Sequence, residues 1–335
     1  MAGRHNGGAA CRQRSAAPTG PAIVTAWLLD LPLALGLFGA GAATLAARSL
    51  FGAVLGFIST GLIAALVWVR LEAPDVALTE AVIGAAATSV IILYVASRIG
   101  GGASAPAPPP IAQRLLAATL SVILAALLAH ALQALPNPAP SLAAPILETM
   151  APSGLGNPVT AVLMVQRALD TLLESAVLVF AVFAIWSMAP ERRWGRAPGP
   201  AFMAEPQGPL AFLAKVLPPI GIVIGIYIAW VGADAPGGKF QGGAVLAAMW
   251  VLPWIAGLTA PPSISDMRLR LAIAAGPLVF LLVGLAGFAW AEGFLAYPAG
   301  FAKPLILLIE TAMTLSVAAA LACMIAGPPE RRAQP

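Results

Sequence analysis

Charge is what this sequence has least of. Only 10% of its 335 residues are Asp, Glu, Lys or Arg, while 60% are hydrophobic. A soluble domain carries about 25% charged residues, and the mean hydropathy of +0.90 points away from one. The composition excludes a water-soluble globular fold and describes a polytopic membrane protein. Reactive side chains are equally scarce. The cysteines are Cys11 and Cys323, the histidines His5 and His130, and none has a Cys or His neighbour at metal-ligand spacing. Haem and iron–sulfur sites need ligand sets that this chain lacks, so no metal or cofactor is expected. Cys323 reads as a small packing residue in an apolar helix. His130 reads as a packing or interfacial residue, with ligation or proton relay as the alternative. No Ser/His/Asp or Cys/His arrangement is present, so the chain is not expected to be an enzyme. The 18 basic residues outnumber 14 acidic ones. In a membrane protein such an excess sets orientation, and no basic run with interleaved aromatics suggests a nucleic-acid partner.

What the chain does have is long apolar runs. Nine segments approach the ~20 residues needed to span a bilayer, at 23–46, 50–70, 75–97, 112–134, 163–188, 211–232, 240–260, 269–291 and 304–326. They are too long and uninterrupted for barrel strands, and open sheets are excluded in lipid. The expected fold is therefore all-α, a polytopic transmembrane helical protein with about nine transmembrane helices in the cell's inner (plasma) membrane. Residues 1–22 read as a disordered tail. "GGGASAPAPPP" (100–110) and "APERRWGRAPGPAFMAEPQGP" (189–209) break the pattern. They divide the chain into modules of three helices (23–99), two (111–189) and four (208–327). With the N-terminus outside, the inside loops hold most of the basic residues, including Arg48, Arg98, Arg192, Arg193, Arg268 and Arg270. The rule that positive loops stay inside favours that orientation, against the pull of the arginines in the tail.

The informative residues are the ionisable groups inside these runs, each costing at least ~2.5 kcal/mol at mid-bilayer. "APDVALTEAVIGAA" (73–86) carries two. Pro74 fits the first helical position and Asp75 the first turn, where the helix dipole favours an anion. Asp75 reads as an interfacial acid, with Arg70 and Glu72 near enough for a local ion-pair cluster. Glu80 sits about a turn and a half further in, roughly 8 Å deep at ~1.5 Å per residue. Either it exchanges protons with a hydrated path or it is a hydrogen-bonded structural group. In "QRALDTLLE", Arg167, Asp170 and Glu174 share one helical face at spacings of three and four. That ladder is a structural ion-pair network or the mouth of a proton path, with Glu174 its deepest member. "GADAPGGKFQGG" (232–243) is a broken, tightly turned helix entry with Lys239 at the break, and Gly242 and Gly243 permit close helix contact. Without a Gly-Lys-Ser/Thr ending it is no nucleotide loop. Glu310 is a further mid-apolar carboxylate, in "KPLILLIETAMTLSV", with Lys303 as an interfacial anchor.

These clusters, in this order, resemble the Mrp-type sodium/proton antiporter family and the related membrane arms of membrane-bound hydrogenases. "APDVALTEAVIGAA" resembles the MbhD-like module at the C-terminal end of the large Mrp A subunit. "NPVTAVLMVQRALDTLLE" resembles the MbhE-like module that follows it, whose usual pattern is N-x-V-x-x-x-L-V-D-F-R-x-x-D-T-L-G-E. "GADAPGGKFQGGAVLAA" resembles the Mrp B pattern G-x-x-x-P-G-G-G-F-x-G-G. Val165-Gln166 replaces the family's Asp-Phe, Leu173 a Gly, and Lys239 the third Gly of the B pattern, while Glu310 stands about where that pattern has Asp.

The resemblance implies a fusion of the A-subunit tail with a B-like subunit. Such a chain works with other membrane subunits in the lipid bilayer and takes part in Na+ and H+ movement. It also implies an ion or proton path that draws on Glu80, Glu174, Asp170, Arg167, Glu310, Asp75 and Lys239. Two alternatives stand beside it, an arm of a redox-driven, hydrogenase-like ion pump and a purely structural scaffold. The large ion-pumping repeats of the family are absent from the sequence, so the chain is not expected to be a whole transporter.

Overall fold

The computed structural model describes residues 20–89, 92–93, 109–136, 140–194, 196–198 and 208–331. Most of the expected tail and the 100–110 linker lie outside the described residues, as do parts of the 75–97 segment and of the 189–209 connection. The described chain is helical. Its helices are α1 (Gly20–Ala46), α2 (Leu50–Arg70), α3 (Pro74–Thr79), α4 (Ile111–Gln133), α5 (Ala143–Met150), α6 (Pro158–Ala161), α7 (Ala168–Ser187), α8 (Pro209–Val231), α9 (Lys239–Ile255), α10 (Met267–Trp290) and α11 (Ala302–Ala326). A short antiparallel pair, β1 (Ala197–Pro198) with β2 (Pro329–Arg331), ties the 189–209 connection to the C-terminal end of α11.

Local chemistry explains the starts. Ser49 accepts from Gly52 N, Asn157 from Val159 N and Asp266 from Arg268 N, capping α2, α6 and α10. Pro74, Pro158 and Pro209 occupy first-turn positions, where a missing N–H costs nothing. Pro21 does the same in α1, which begins at Gly20, so the last residues expected as tail are helical.

Among the described residues, seven helices are long and apolar enough to cross a membrane: α1, α2, α4, α7, α8, α10 and α11. The other two expected spans differ for identifiable reasons. The 75–97 segment changes at Glu80 from α-helix to a wider π-helix, Glu80–Ala87, before leaving the described residues. The 240–260 segment stops at Ile255 after 17 residues, at the lower limit for spanning, and turns through Gly257 at φ 69°. The 163–188 segment is also divided. A short π-helix, Val162–Gln166, ends at Arg167 (φ −125°, ψ 36°), and a fresh helix starts there.

α11 is the centre, with 67% of its spanning window buried. It packs on α9, α10 and α7 through a run of small buried residues, Ala318–Ala320 and Ala322–Cys323. Between apolar helices in lipid, close van der Waals approach supplies the attraction. Gly243 of α9 and Gly276 of α10 provide it: a Cβ on Gly243 would lie 2.8 Å from Val317 Cγ1, and one on Gly276 2.8 Å from Ser316 Cβ. Gly225 and Gly242 do the same between α8 and α9, where a Cβ on Gly242 would sit 2.6 Å from Gly225 O. α4 contrasts with all of this, with no buried residue.

Gly243→Leu therefore should lower the midpoint of thermal unfolding in detergent, because overpacking costs ~1–3 kcal/mol. Gly39→Leu, at a glycine with nothing within 4 Å, should leave the midpoint unchanged.

A buried polar cluster at the entry of α9

The turn between α8 and α9 is built by glycine. Gly237 and Gly238 hold φ of 152° and 135°, open only to glycine at low cost. A Cβ on Gly232 would lie 2.5 Å from Gly238 Cα, so the turn closes on itself. Two other parts of the chain then clamp it. Asn157 donates through Nδ2 to Gly232 O and Ala235 O, both at 3.1 Å, and Thr160 donates to Gly232 O at 2.6 Å. Asp75 Oδ1 accepts from Gly237 N at 3.1 Å and from Asn157 Nδ2 at 3.2 Å. Gln241, on the first turn of α9, donates to Thr79 Oγ1 at 2.9 Å and to Asp75 O at 3.3 Å. Asp75 is 8% exposed. The acid expected at the interface is thus a buried bracket between α3, α6 and the α8–α9 turn. Arg70 and Glu72 take no part: Arg70 Nε pairs with Asp30 Oδ1 at 2.7 Å across the α1–α2 hairpin, and Glu72 is exposed.

The first residue after the glycines is Lys239. Its side chain is 3% exposed and its ammonium lies 3.8 Å from Glu310 Oε1, on a side chain 4% exposed. The ammonium also reaches Met164 Sδ at 3.4 Å and lies 5.6 Å from the Phe240 ring centroid. Glu310 Oε2 is buried and has no hydrogen-bond partner among the described residues, and the Tyr297 hydroxyl is likewise unpaired. Burial, with Glu310 nearby, holds that hydroxyl protonated well above the usual phenol range. Glu310 also lines a largely apolar cleft of about 300 Å³ between α8, α9 and α11, with Ile226, Trp230, Leu246 and Thr314. A buried pair of this kind is weak support for stability, since desolvation offsets its attraction. Such a pair can share, hold or release a proton between Glu310 and the Lys239 amine.

The other expected residues fall elsewhere. Glu174, the member of its ladder furthest along α7, is exposed on the surface of this chain and within electrostatic reach of Lys239. Asp170 and Glu174 both lie in α7, which starts afresh after the break at Arg167. Arg167 and Asp170 pair with each other, Nε to Oδ2 at 2.6 Å, on the exposed surface. Glu80, half-buried, opens the π-helix and lays its carboxyl over Gly84, where a Cβ would meet Oε1 at 2.5 Å, and near Gly61 of α2. It has no hydrogen bond or ion pair among the described residues. Lys303, expected as an anchor, bridges Asp234 at 2.6 Å. Asn157, Thr160, Met164, Gln241 and Tyr297 were not anticipated. Only Asn157-Pro158 carried a signal, an N-cap followed by a first-turn proline.

The sequence and the fold both have counterparts among known proteins. The MbhD family of MBH matches residues 35–101, and the domain related to the MnhB subunit of Na+/H+ antiporter matches 209–327. An uncharacterized protein of Methanocaldococcus jannaschii is 31% identical over 168 residues, 43% of this chain and 64% of that protein. The structure of the Mrp complex from Dietzia sp. DQ12-45-1b superposes over 91% of this chain with TM-score 0.73 and 26% identity. The chain spans 35% of that longer one. The archaeal membrane-bound sulfane sulfur reductase, a respiratory membrane complex, matches 64% of this chain and 97% of its own, with TM-score 0.52 and 25% identity.

The fold is that of a multi-pass membrane protein, and the solved structures it resembles are multisubunit membrane complexes. The chain thus carries an MbhD-like region followed by a region related to the MnhB subunit. The expected MbhE-like module, 111–189, lies between the two matched regions.

Asp75→Ala should cost about 1–3 kcal/mol of stability, because it strands buried donors at Gly237 and Asn157. Asp75→Asn keeps an acceptor oxygen there and should cost well under that. Thermal unfolding in detergent separates the two, and equal midpoints would return Asp75 to the interface.

Proposed function

We propose that this chain is a non-catalytic subunit of a monovalent cation/proton antiporter of Mrp type, moving Na+ against H+. In this reading it scaffolds the larger subunits and contributes buried carboxylates to the ion path. The observation that carries the reading is the Lys239–Glu310 pair, with one carboxylate oxygen left unpaired at a cleft. Ionisable groups kept inside a membrane protein at such cost are functional by default. In this reading Glu80 and Glu174 add further carboxylates to the path, and Arg167, Asp170 and Asp75 tune or position it.

Removing one member alone would strand a buried charge at about 3–5 kcal/mol. The informative variant is therefore Lys239→Gln with Glu310→Gln, which neutralises both at similar volume. In the assembled complex in inverted vesicles, Na+-driven proton flux should fall at least about tenfold, equivalent to ~1.4 kcal/mol on the barrier, with subunit assembly intact. Normal flux would leave the chain as a scaffold. Glu80→Gln, tested in the same assay, should also reduce flux, and wild-type flux would remove Glu80 from the path.

The likeness to a respiratory sulfane sulfur reductase favours a second reading, a membrane arm of a redox-driven ion pump. Co-purification of iron–sulfur or nickel subunits with this chain would select it.

A further inference from the structure

A second cleft, of about 370 Å³, opens between α7 and α10, away from the buried pair. Its walls are apolar and aromatic: Val179, Phe183 and Trp186 of α7 and Leu271 of α10, with Trp194 and Arg270 among its lining residues. Trp186 is fully buried and edge-on to Phe183 at 5.9 Å, so the floor is rigid. Trp194 is 44% exposed, an aromatic with one wet side. Arg270 donates through Nε to Ile264 O at 2.8 Å. That bond orients the guanidinium and leaves its two terminal amino groups without a partner among the described residues.

The surroundings are strongly basic. Residues 191–196 and 266–270 contain Arg192, Arg193, Arg196, Arg268 and Arg270 against only Glu191 and Asp266. Asp266 is engaged as the cap of α10, and none of the five arginines forms an ion pair among the described residues. Ile264 N donates to Arg196 O at 3.4 Å, so both segments lie at one end of the bundle. By the positive-inside rule this end faces the cytoplasm, where anionic lipid head groups concentrate. Val179 lies eight residues from the end of α7. At ~1.5 Å per residue the cleft therefore runs about 12 Å below the helix end. That depth suits an acyl chain below a head group.

We propose that this cleft binds an anionic phospholipid, with its phosphate on the terminal nitrogens of Arg270 and one acyl chain along Val179, Phe183 and Leu271. The planar guanidinium matches a phosphate bidentately. The bound lipid would hold α7 against α10, joining the middle of the chain to the MnhB-related module. The site does not depend on the ion path proposed above.

The test uses the assembled complex in nanodiscs of equal parts phosphatidylglycerol and phosphatidylcholine, followed by release into detergent and mass spectrometry of the retained lipid. Wild type should retain phosphatidylglycerol in preference to phosphatidylcholine. Arg270→Gln should reduce phosphatidylglycerol retention about fivefold, the equivalent of ~1 kcal/mol for one basic contact. Ala274→Phe, which fills the cleft and keeps every arginine, should reduce it as well, and this arm decides the matter if Arg270→Gln impairs assembly. Retention at the wild-type level in both variants would overturn the proposal. So would equal retention of the two lipids by wild type, or cross-linking of Ala274→Cys to a partner subunit in place of lipid.

Discussion

The hydrogen bonds that close the α8–α9 turn set the position of Lys239 and of the polar groups gathered around it. Gly237 and Gly238 give the backbone its path, but glycines alone leave a turn loose. Asp75 and Asn157 supply acceptor and donors from two separate stretches of sequence and fasten it. Lys239 follows directly, so its side chain enters the core where the bracket aims it. The bracket draws on α3, on α6 and on α9, and it therefore ties the MbhD module to the MnhB-related one. A single buried carboxylate does this because it accepts from both donors at once, and leaving either unpaired in an apolar surround costs more than the bond itself contributes.

The bilayer explains why the remaining packing is made from small residues. Apolar side chains gain nothing by leaving lipid for protein, so helices must approach closely to attract one another. Gly243, Gly276 and the alanines of α11 permit that approach. The same closeness walls off Lys239 and Glu310. A tight core with two charges inside is an expensive arrangement, and packing alone gives no reason to keep it.

Much of this was legible in the sequence, and for physical reasons. Apolar runs of spanning length read as helices because lipid allows little else, and Gly242-Gly243 read as a contact because nothing else explains paired glycines in a helix. Glu310 was legible as an acid in an apolar run. Three features were not. The breaks at Glu80 and Arg167 are changes of helix type within continuous apolar pattern, which has no compositional mark. Asp75 looked interfacial because its partners, Asn157 and Gly237, are distant in sequence. The pairing of Lys239 with Glu310 joins the second and last helices of the MnhB-related module, and only the fold brings the two together.

That pairing also accounts for the way this chain departs from the resembling B-subunit pattern. The pattern has three successive glycines where this chain has Gly237-Gly238-Lys239. The structure places positive φ at the first two only, and Lys239 is the first helical residue of α9, so its backbone has no need of glycine. A side chain is admissible there, and the bracketed turn points it inward. An ammonium inside an apolar core is tolerable only opposite an acid. The second departure, Glu310 near the position of an Asp, supplies one with a side chain one methylene longer, and the resulting gap is 3.8 Å. A shorter carboxylate on the same backbone would leave the lysine further from its counter-charge. The two departures therefore have one physical explanation, a new buried cation and an acid with the reach to meet it.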